Sequence, residues 1–304
     1  MTPPTHVVGE RLPDSSKRQE DPNLRVYNTP DVAAHYASLD YLSPCEKALF
    51  DAFLKEGDAI LDLGVGGGRT TPHLSRLASR YVGVDYAPEM VAACQQKFPQ
   101  LEFLVADATN LAPLGERTFD SVVMAFNVID ALVPNESRRR CLAEIHRVLR
   151  NGGVLIFSSH NPRAVFLRPA WNPRKIDEVA EMLAGQREWF LKPTRFLVWW
   201  LRVAAAMAQS AMDSALRLSR RVWRRAFWSG DGYMVDPAHG GLLIHYAVPE
   251  RVIAEVEQQG FQVLRFAGDD YPRRSRSYIT DWYYYVFRKP EPRKPGTSAT
   301  SPCV

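Results

Sequence analysis

The residues best suited to chemistry in this sequence are an acid and a set of closely spaced glycines. Asp62 lies in the short apolar run Ala59–Leu63, and Gly64, Gly66 and Gly68 follow at alternate positions. Glycine allows left-handed backbone dihedrals and lets the main chain approach a ligand without a Cβ in between. The helical pattern that follows would present free N–H groups at its start. The stretch therefore predicts a strand, a glycine turn and a helix that cradle a cofactor, although glycines alone also suit a purely structural turn.

Two further acids follow the next two apolar runs. Asp85 ends the second run, where a carboxylate can accept hydrogen bonds from both hydroxyls of a ribose. Asp107 follows the third run, where it can accept from an adenine amine while the Ala108 N–H donates to a ring nitrogen. Each acid alone could cap a helix. Together they predict a nucleoside site, but not a dinucleotide fingerprint, because Arg69 stands where its third glycine is required.

The elements that must position these residues alternate between strand and helix patterns. In such an arrangement the strands form a parallel, doubly wound sheet, and ligands bind beyond the carboxyl ends of the strands. Two helices opening at Thr29 and Ser43 precede the alternation, and Ser43 with Glu46 forms a capping box. The predicted strands are 59–63, 81–85, 101–105, 119–125 and 154–158.

The chain divides by composition into five parts. Residues 1–24 and 289–304 are polar and rich in proline, which predicts disorder. Residues 25–161 carry the alternating core, and residues 239–288 are predicted to complete its sheet. Residues 162–238 break the rhythm with a basic, helical pattern that holds six of the seven tryptophans. This part is predicted to be an insertion over the acceptor site.

Composition narrows the class of protein. The chain has 304 residues, 46% of them apolar, and a net charge of +4, which is too mild to favour nucleic acid. Four scattered cysteines without metal spacing predict no metal site and reduced thiols, hence a cytoplasmic protein. The tryptophans and arginines of 194–228 leave three readings open: a local core, peripheral contact with a membrane or lipid-linked substrate, and, least favoured, nucleic acid.

Five sequence blocks in a fixed order carry a family resemblance. They are DLGVGGG, VGVDYAPEM, VADATNL, FDSVVMAFNVIDAL and HRVLRNGGVLIFSSH. In this order the chain resembles the class I S-adenosylmethionine-dependent methyltransferases over roughly 28–160, and more loosely over 242–287. The resemblance implies a Rossmann-like, seven-stranded, mostly parallel sheet whose last strand is antiparallel. It also implies S-adenosylmethionine as the cofactor.

The resemblance further assigns roles around that cofactor. It places the three glycines along the methionine part and Asp62 near its amino group. It implies that Asp85 binds the ribose and that Tyr86 packs on the adenine. It also implies that Asp107 and Ala108 contact the edge of the adenine.

The acceptor side is less constrained by the sequence. The sulfonium is already an activated methyl donor, so the protein mainly aligns the reactants, although a hydroxyl acceptor also needs a base. His160 and Asp130 are the candidate catalytic residues, and Tyr36 and His245 could contact the acceptor. The resemblance implies that Asn127 faces both the methionine part of the cofactor and the acceptor. His160 could instead cap the next turn, Asp130 could only cap a helix, and Tyr36 could serve packing.

The sequence thus predicts an enzyme that methylates an oxygen or nitrogen of a small-molecule, sugar or lipid-linked acceptor. The alternative is a non-catalytic module of the same fold that binds the cofactor or scaffolds a partner. No block of the type Asn-Pro-Pro-Tyr follows the fourth strand, which disfavours the amino-methylating enzymes of nucleic acids.

Overall fold

The computed structural model of the chain describes residues 22–162, 231–236, 242–272, 280 and 282–292. Its centre is a sheet of seven strands in the order β3-β2-β1-β4-β5-β9-β8. The seven strands are β1 (Ala59–Leu63), β2 (Arg80–Asp85), β3 (Glu102–Val105), β4 (Phe119–Met124), β5 (Leu149–His160), β8 (Gln262–Gly268) and β9 (Trp282–Arg288).

The strand directions confirm the predicted fold class. Strands β1 to β5 pair in parallel, whereas β9 runs antiparallel to both β5 and β8. All five residues of β1 are buried, as expected for the central strand of a sheet covered on both faces. The carboxyl ends of β1, β2 and β4 therefore meet at one edge of the sheet, where the predicted site residues follow.

Seven helices of the described chain surround the sheet, and most begin with a proline whose fixed φ suits the first helical turn. At α3 the predicted capping box is confirmed, since Ser43 and Glu46 exchange side-chain to backbone hydrogen bonds. A short 3₁₀ helix, Val128–Ala131, follows β4. The helices are α1 (Pro22–Tyr27), α2 (Pro30–Ala37), α3 (Pro44–Phe53), α4 (Thr71–Leu77), α5 (Pro88–Lys97), α6 (Asn135–Val148) and α7 (Pro249–Gln258).

Two boundary predictions need correction at the ends of the core. Helix α1 begins at Pro22, inside the segment predicted to be disordered, because the buried Asn23 side chain ties it to Leu243 and Ala131. Lys289, predicted to open a disordered tail, is buried, and its Nζ donates to the carbonyls of His146 and Leu149 at the end of α6.

The segment after the insertion also differs from its prediction. Residues 242–247 were expected to help complete the central sheet, but β7 (Leu242–Ala247) pairs antiparallel with β6 (Asp231–Asp236) in a separate two-stranded sheet. Strand β6 lies in the range predicted to be helical. The partner of β7 is thus β6, a strand at the end of the range that was predicted to be helical. The remainder of the predicted insertion, 163–230 and 237–238, lies outside the described residues.

Apolar side chains cover both faces of the sheet in two separate layers. Both layers are built from alternating residues of the same strands, as the period of two requires. Across the described ranges, none of the helices combines the length and apolar character needed to cross a membrane.

Candidate functional site

A cleft lies at the carboxyl ends of β1, β2 and β4 and consists of two adjoining cavities. Both cavities are lined by Gly64, Asp85, Tyr86, Val128 and Ala131. The first cavity extends along the glycine turn towards α1 and α2, and the second extends towards the end of β3. The structure thus brings residues from three predicted strand ends into one elongated space.

The glycine turn forms the floor of the first cavity. Gly64, Gly66 and Gly68 all have positive φ, at 75°, 54° and 82°. A Cβ on Gly66 would meet nothing nearer than the Tyr36 ring at 3.8 Å, so this glycine keeps the cavity open. A Cβ on Gly68 would lie 2.7 Å from Phe98 instead. Among the described lining residues Gly64 and Gly66 appear and Gly68 does not, so Gly68 serves packing behind the turn.

Asp85 stands where the two cavities join. Its Oδ1 accepts from the Ala87 N–H at 3.0 Å and its Oδ2 from the Gly66 N–H at 2.9 Å. Burial raises the pKa of Asp85, and these backbone donors oppose the rise. The carboxylate is therefore fixed in place with further lone pairs available to a ligand in the cleft.

Asp62 lies beneath the glycine turn, and its role toward the cofactor stays a prediction. Its side chain is buried, and its Oδ2 accepts from the hydroxyls of Thr70 at 2.7 Å and Tyr81 at 2.9 Å. Burial raises the pKa of Asp62 to about 6. The described linings of the two cavities do not include it, so in this structure Asp62 anchors the start of α4 beneath the turn.

The second cavity holds the remaining residues predicted for the adenine. Asp107 and Ala108 line it at the end of β3. One oxygen of Asp107 accepts from both the N–H and the hydroxyl of Thr109, at 2.8 Å each, which fixes the carboxylate orientation. Tyr86 borders both cavities and packs edge-on against Tyr27. The four residues predicted for ribose and adenine thus share one end of the cleft.

A strained turn follows β4 beside the first cavity. Phe126 and Asn127 both have left-handed φ values, 62° and 63°. Asparagine adopts this region readily, whereas for a bulky residue such as Phe126 it is uncommon and requires support from the surroundings. The Asn127 N–H donates to Ser158 Oγ at 2.8 Å. The Asn127 side chain is buried, its Nδ2 lies 3.3 Å from His160 Nε2, and its Oδ1 has no partner among the described residues.

His160 and Asp130, the two candidate catalytic residues, form a hydrogen-bonded pair, and neither is among the described residues that line the two cavities. Asp130 Oδ2 lies 2.7 Å from both Nδ1 and the backbone N of His160. Asp130 is buried, whereas the His160 side chain is 24% exposed. The carboxylate favours the tautomer protonated at Nδ1, which leaves Nε2 as a proton acceptor.

The two residues predicted to contact an acceptor have different surroundings. Tyr36 lines the first cavity and packs edge-on against Tyr27 and Phe126. His245 is buried on β7, where it pairs with Asp231 and packs against Tyr233. Within the described part of the chain His245 is not among the residues that line either cavity.

Sequence reasoning missed one charged residue of the first cavity. Arg69 donates to both carboxylate oxygens of the buried Glu46, at 2.7 and 2.5 Å, and to the carbonyl of Tyr41. Its guanidinium lies 5.2 Å from the Tyr41 ring centroid and 5.1 Å from that of Phe126. In the sequence, Arg69 stands out only because it occupies the position of the third fingerprint glycine. An arginine directly after a glycine turn was the available signal for a charge at the cleft.

The comparisons with known proteins agree with this geometry. Residues 61–157 match the family model described as a methyltransferase domain. Residues 61–157 thus form a methyltransferase domain similar to those of the class I S-adenosylmethionine-dependent enzymes. This domain contains the glycine turn, Asp85, Asp107 and the strained turn, while α1 and α2 precede it.

The similarity to curated relatives covers only part of the length of each relative. A demethylmenaquinone methyltransferase of Paenarthrobacter aurescens is 26% identical over 53% of this chain and 60% of that protein. One of Beutenbergia cavernae is 33% identical over 42% of this chain and 49% of that protein. The chain thus spans less than two thirds of either relative.

Solved structures share the fold of the methyltransferase domain at low sequence identity. The CcbJ methyltransferase of Streptomyces caelestis has a TM-score of 0.55 at 16% identity, covering 88% of this chain and 98% of that one. The 1,6-didemethyltoxoflavin-N1-methyltransferase of Burkholderia thailandensis has a TM-score of 0.52 at 14% identity, covering 93% and 94%. Among the described residues of this chain, no three His, Cys, Asp or Glu side chains gather as a metal site would require.

Proposed function

We propose that this protein transfers a methyl group from S-adenosylmethionine to an oxygen or nitrogen of a small-molecule acceptor. The observation that carries the proposal is the cleft itself, in which Asp85 joins a glycine-floored cavity to one bordered by Asp107. A Cβ at Gly64 would lie 2.5 Å from the Val128 side chain, and Gly66 keeps the neighbouring space empty. This shape suits a ligand with a nucleoside at one end and an amino-acid chain at the other.

The residues of the cleft would divide the cofactor between them. Asp85 would accept hydrogen bonds from the ribose hydroxyls, since its carboxylate is already oriented by two backbone amides. Tyr86 would pack on the adenine, with Asp107 and Ala108 at its edge. Gly64 and Gly66 would lie along the methionine part. When bound, the cofactor supplies a sulfonium-activated methyl group, so the protein is left to align the acceptor.

The His160–Asp130 pair favours an acceptor that loses a proton when it is methylated. Neutral His160 would take that proton at Nε2, and the buried Asp130 carboxylate would stabilise the resulting imidazolium. A hydroxyl or an N–H group meets this condition, whether it belongs to a free small molecule, a sugar or a lipid-linked acceptor. Because two relatives are named demethylmenaquinone methyltransferases, quinone-derived compounds should be included among the acceptors tested.

Calorimetric titration tests the cofactor half of the proposal. The protein should bind S-adenosylmethionine and its demethylated product, and it should not bind NADH. The substitution Asp85→Ala should weaken both affinities by on the order of 2–4 kcal/mol, because hydrogen bonds to a charged acceptor are lost. Asp51→Ala, at an exposed acid paired with Lys47, is the matched control and should bind normally. Binding of NADH alone, or an unchanged affinity in Asp85→Ala, would overturn the assignment.

Turnover with a panel of acceptors tests the second half. We expect formation of the demethylated cofactor with one class of hydroxyl, N–H or quinol compound. His160→Gln should lower the turnover rate while cofactor affinity is kept. Tight cofactor binding with no methylation of any acceptor would favour the alternative, a binding or scaffolding module. The predicted lid, 162–238, and the predicted membrane contact through 194–228 fall largely outside the described residues and stay predictions.

A further inference from the structure

Strand β5 extends beyond the end of β4, and this extension faces the strained turn. The last residue pair between the two strands is Met124 with Phe157. The tripeptide Ser158–His160 continues β5 and pairs on its other side with β9, His160 opposite Trp282. On the side of β4 the backbone and side chains of this tripeptide therefore meet the turn rather than a strand.

Each residue of the tripeptide makes a different contact with the turn and the 3₁₀ helix. Ser158 Oγ accepts from the Asn127 N–H at 2.8 Å. Ser159 Oγ donates to Asp130 Oδ1 at 2.8 Å, and the His160 N–H donates to Asp130 Oδ2 at 2.7 Å. Both serines are 1% exposed. The carboxylate of Asp130 is thus held at both oxygens by consecutive residues of one strand.

We propose that Ser159 is a positioning residue that sets the orientation and the proton affinity of the His160–Asp130 pair. The inference rests on the proposed function, in which His160 takes the proton of the acceptor. The terminal torsion of an aspartate is broad, so a carboxylate held at one oxygen can rotate. The Ser159 hydroxyl fixes Oδ1, and this orientation directs Oδ2 at the backbone N–H and the ring Nδ1 of His160. It also withdraws charge from the carboxylate, which limits how strongly Asp130 holds a proton on His160.

Ser158 has a separate role in the same strand. It touches the Asn127 amide and not the Asp130 carboxylate, so it supports the left-handed turn whose Phe126 and Val128 line the first cavity. Loss of the Ser158 hydroxyl should therefore change the cavity and leave the His160–Asp130 pair intact. The two adjacent serines form a matched comparison.

Other ionisable groups close to the pair are few in the described part of the chain. Tyr283 and Tyr285 lie on β9, and burial raises the pKa of Tyr285 well above its usual value, so it stays neutral. The β6–β7 hairpin packs against the 3₁₀ helix and carries the His245–Asp231 pair. His245 is a second histidine close to the pair, so its NMR signal must be assigned separately from that of His160.

The test is a pH titration of ¹⁵N-labelled histidine side chains in the full chain by NMR, with His160 assigned through His160→Gln. Wild-type His160 should show the Nδ1–H tautomer. In Ser159→Ala the Asp130 charge is no longer partly neutralised by the hydroxyl, which should raise the pKa of His160 by about half a unit. Ser159→Thr keeps the hydroxyl and should restore the wild-type curve. Ser158→Ala should leave the curve unchanged and weaken S-adenosylmethionine binding about threefold or more.

Turnover gives a second readout on the same variants. Ser159→Ala should lower the rate about tenfold and move the acid limb of the pH–rate profile upwards, because the base must be neutral to act. Cofactor calorimetry on every variant reports whether it is folded, and Ser159→Cys, a weak donor, replaces Ser159→Ala if that chain fails to fold. An identical titration in the wild type and the hydroxyl-free variant would overturn the proposal, as would an equal shift in Ser158→Ala. Because the titration needs no acceptor, a failure of the proposed methyl transfer shows only in the turnover assay.

Discussion

At the scale of single residues, two acids at the ends of neighbouring strands have unequal surroundings. Asp85 receives two backbone N–H groups and borders both cavities, whereas Asp62 receives two side-chain hydroxyls beneath the glycine turn. Burial raises the pKa of both, and that of Asp62 reaches about 6. At neutral pH the charge on Asp62 therefore destabilises the folded state. Accepting the hydrogen bond from Thr70 does not require that charge.

Asp62→Asn should make the protein more stable at neutral pH. The folded-state pKa of about 6 exceeds the ordinary value of 3.8, so the folded state binds the proton more tightly. Protonated Asp62 therefore stabilises the folded state by at most about 3 kcal/mol below pH 4, and this stabilisation is lost as the pH rises through about 6. Asparagine keeps an acceptor for Thr70 and Tyr81 without the charge, so this slope should vanish. Urea unfolding between pH 4 and 8 measures it.

The exposed Asp51 provides the control for this prediction. Its pKa is lowered by the hydrogen bond from Lys47, so Asp51→Asn should leave the fall in stability between pH 4 and 6 in place. Parallel curves for Asp62→Asn and the wild type would show that the Asp62 charge is compensated in the folded protein. A loss of S-adenosylmethionine affinity in Asp62→Asn would in turn support the contact with the methionine amino group that the resemblance implies.

At the scale of elements, helix α2 and the glycine turn pack backbone against backbone. A Cβ on Gly67 would lie 2.2 Å from the Ala37 backbone N and 2.3 Å from the Tyr36 carbonyl carbon. The Lys97 Nζ also donates to the Ala37 carbonyl at 2.8 Å, which ties the end of α2 to α5. Because Tyr36 and Leu39 line the first cavity, the distance between α2 and the turn sets the width of that cavity.

Gly67→Ala should therefore displace α2 and lower cofactor affinity. Backbone atoms cannot rotate away as a side chain would, so the helix must move, and we expect at least about a tenfold rise in the Kd for S-adenosylmethionine. Gly57→Ala is the control: Gly57 has a φ of +89° with nothing within 4 Å of a Cβ. It should cost about 1 kcal/mol of stability through strain and leave the affinity unchanged. Equal affinities in the two variants would mean that α2 does not shape the binding cavity.

The elements also show where sequence reasoning succeeds. The capping box of Ser43 and Glu46 was predictable because its contacts span three residues. The bonds of Glu46 to Arg69, and of Asn23 to Leu243, were not, because they join residues distant in the chain. Strand ends follow local patterns, so the acids of the cleft were found. Which residues line the cavities depends on packing between elements, so local patterns could not show that Asp62 and Gly68 lie behind the described linings.

At the scale of the whole molecule, β9 joins the two apolar layers of the sheet. Tyr283, Tyr285 and Phe287 belong to one layer, and Tyr284 and Val286 belong to the other. The hydroxyl of Tyr284 contacts Ser43 and Trp282, whereas the buried hydroxyl of Tyr285 has no partner among the described residues. Neighbouring tyrosines of one strand thus differ in whether their polar atom is satisfied.

Tyr285→Phe should stabilise the protein, and Tyr284→Phe should destabilise it, each by about 1 kcal/mol. The first substitution removes a buried hydroxyl that has lost its water without gaining a partner, and it keeps the ring stacked on Phe157 at 5.1 Å. The second leaves the Trp282 indole N–H and the Ser43 hydroxyl without one contact each. Urea unfolding of both variants measures the two signs, with cofactor calorimetry to show that the cleft is intact. If Tyr285→Phe loses as much stability as Tyr284→Phe, the Tyr285 hydroxyl has a hydrogen-bond partner in solution. The tyrosine hydroxyls of the two layers would then be equally well hydrogen-bonded.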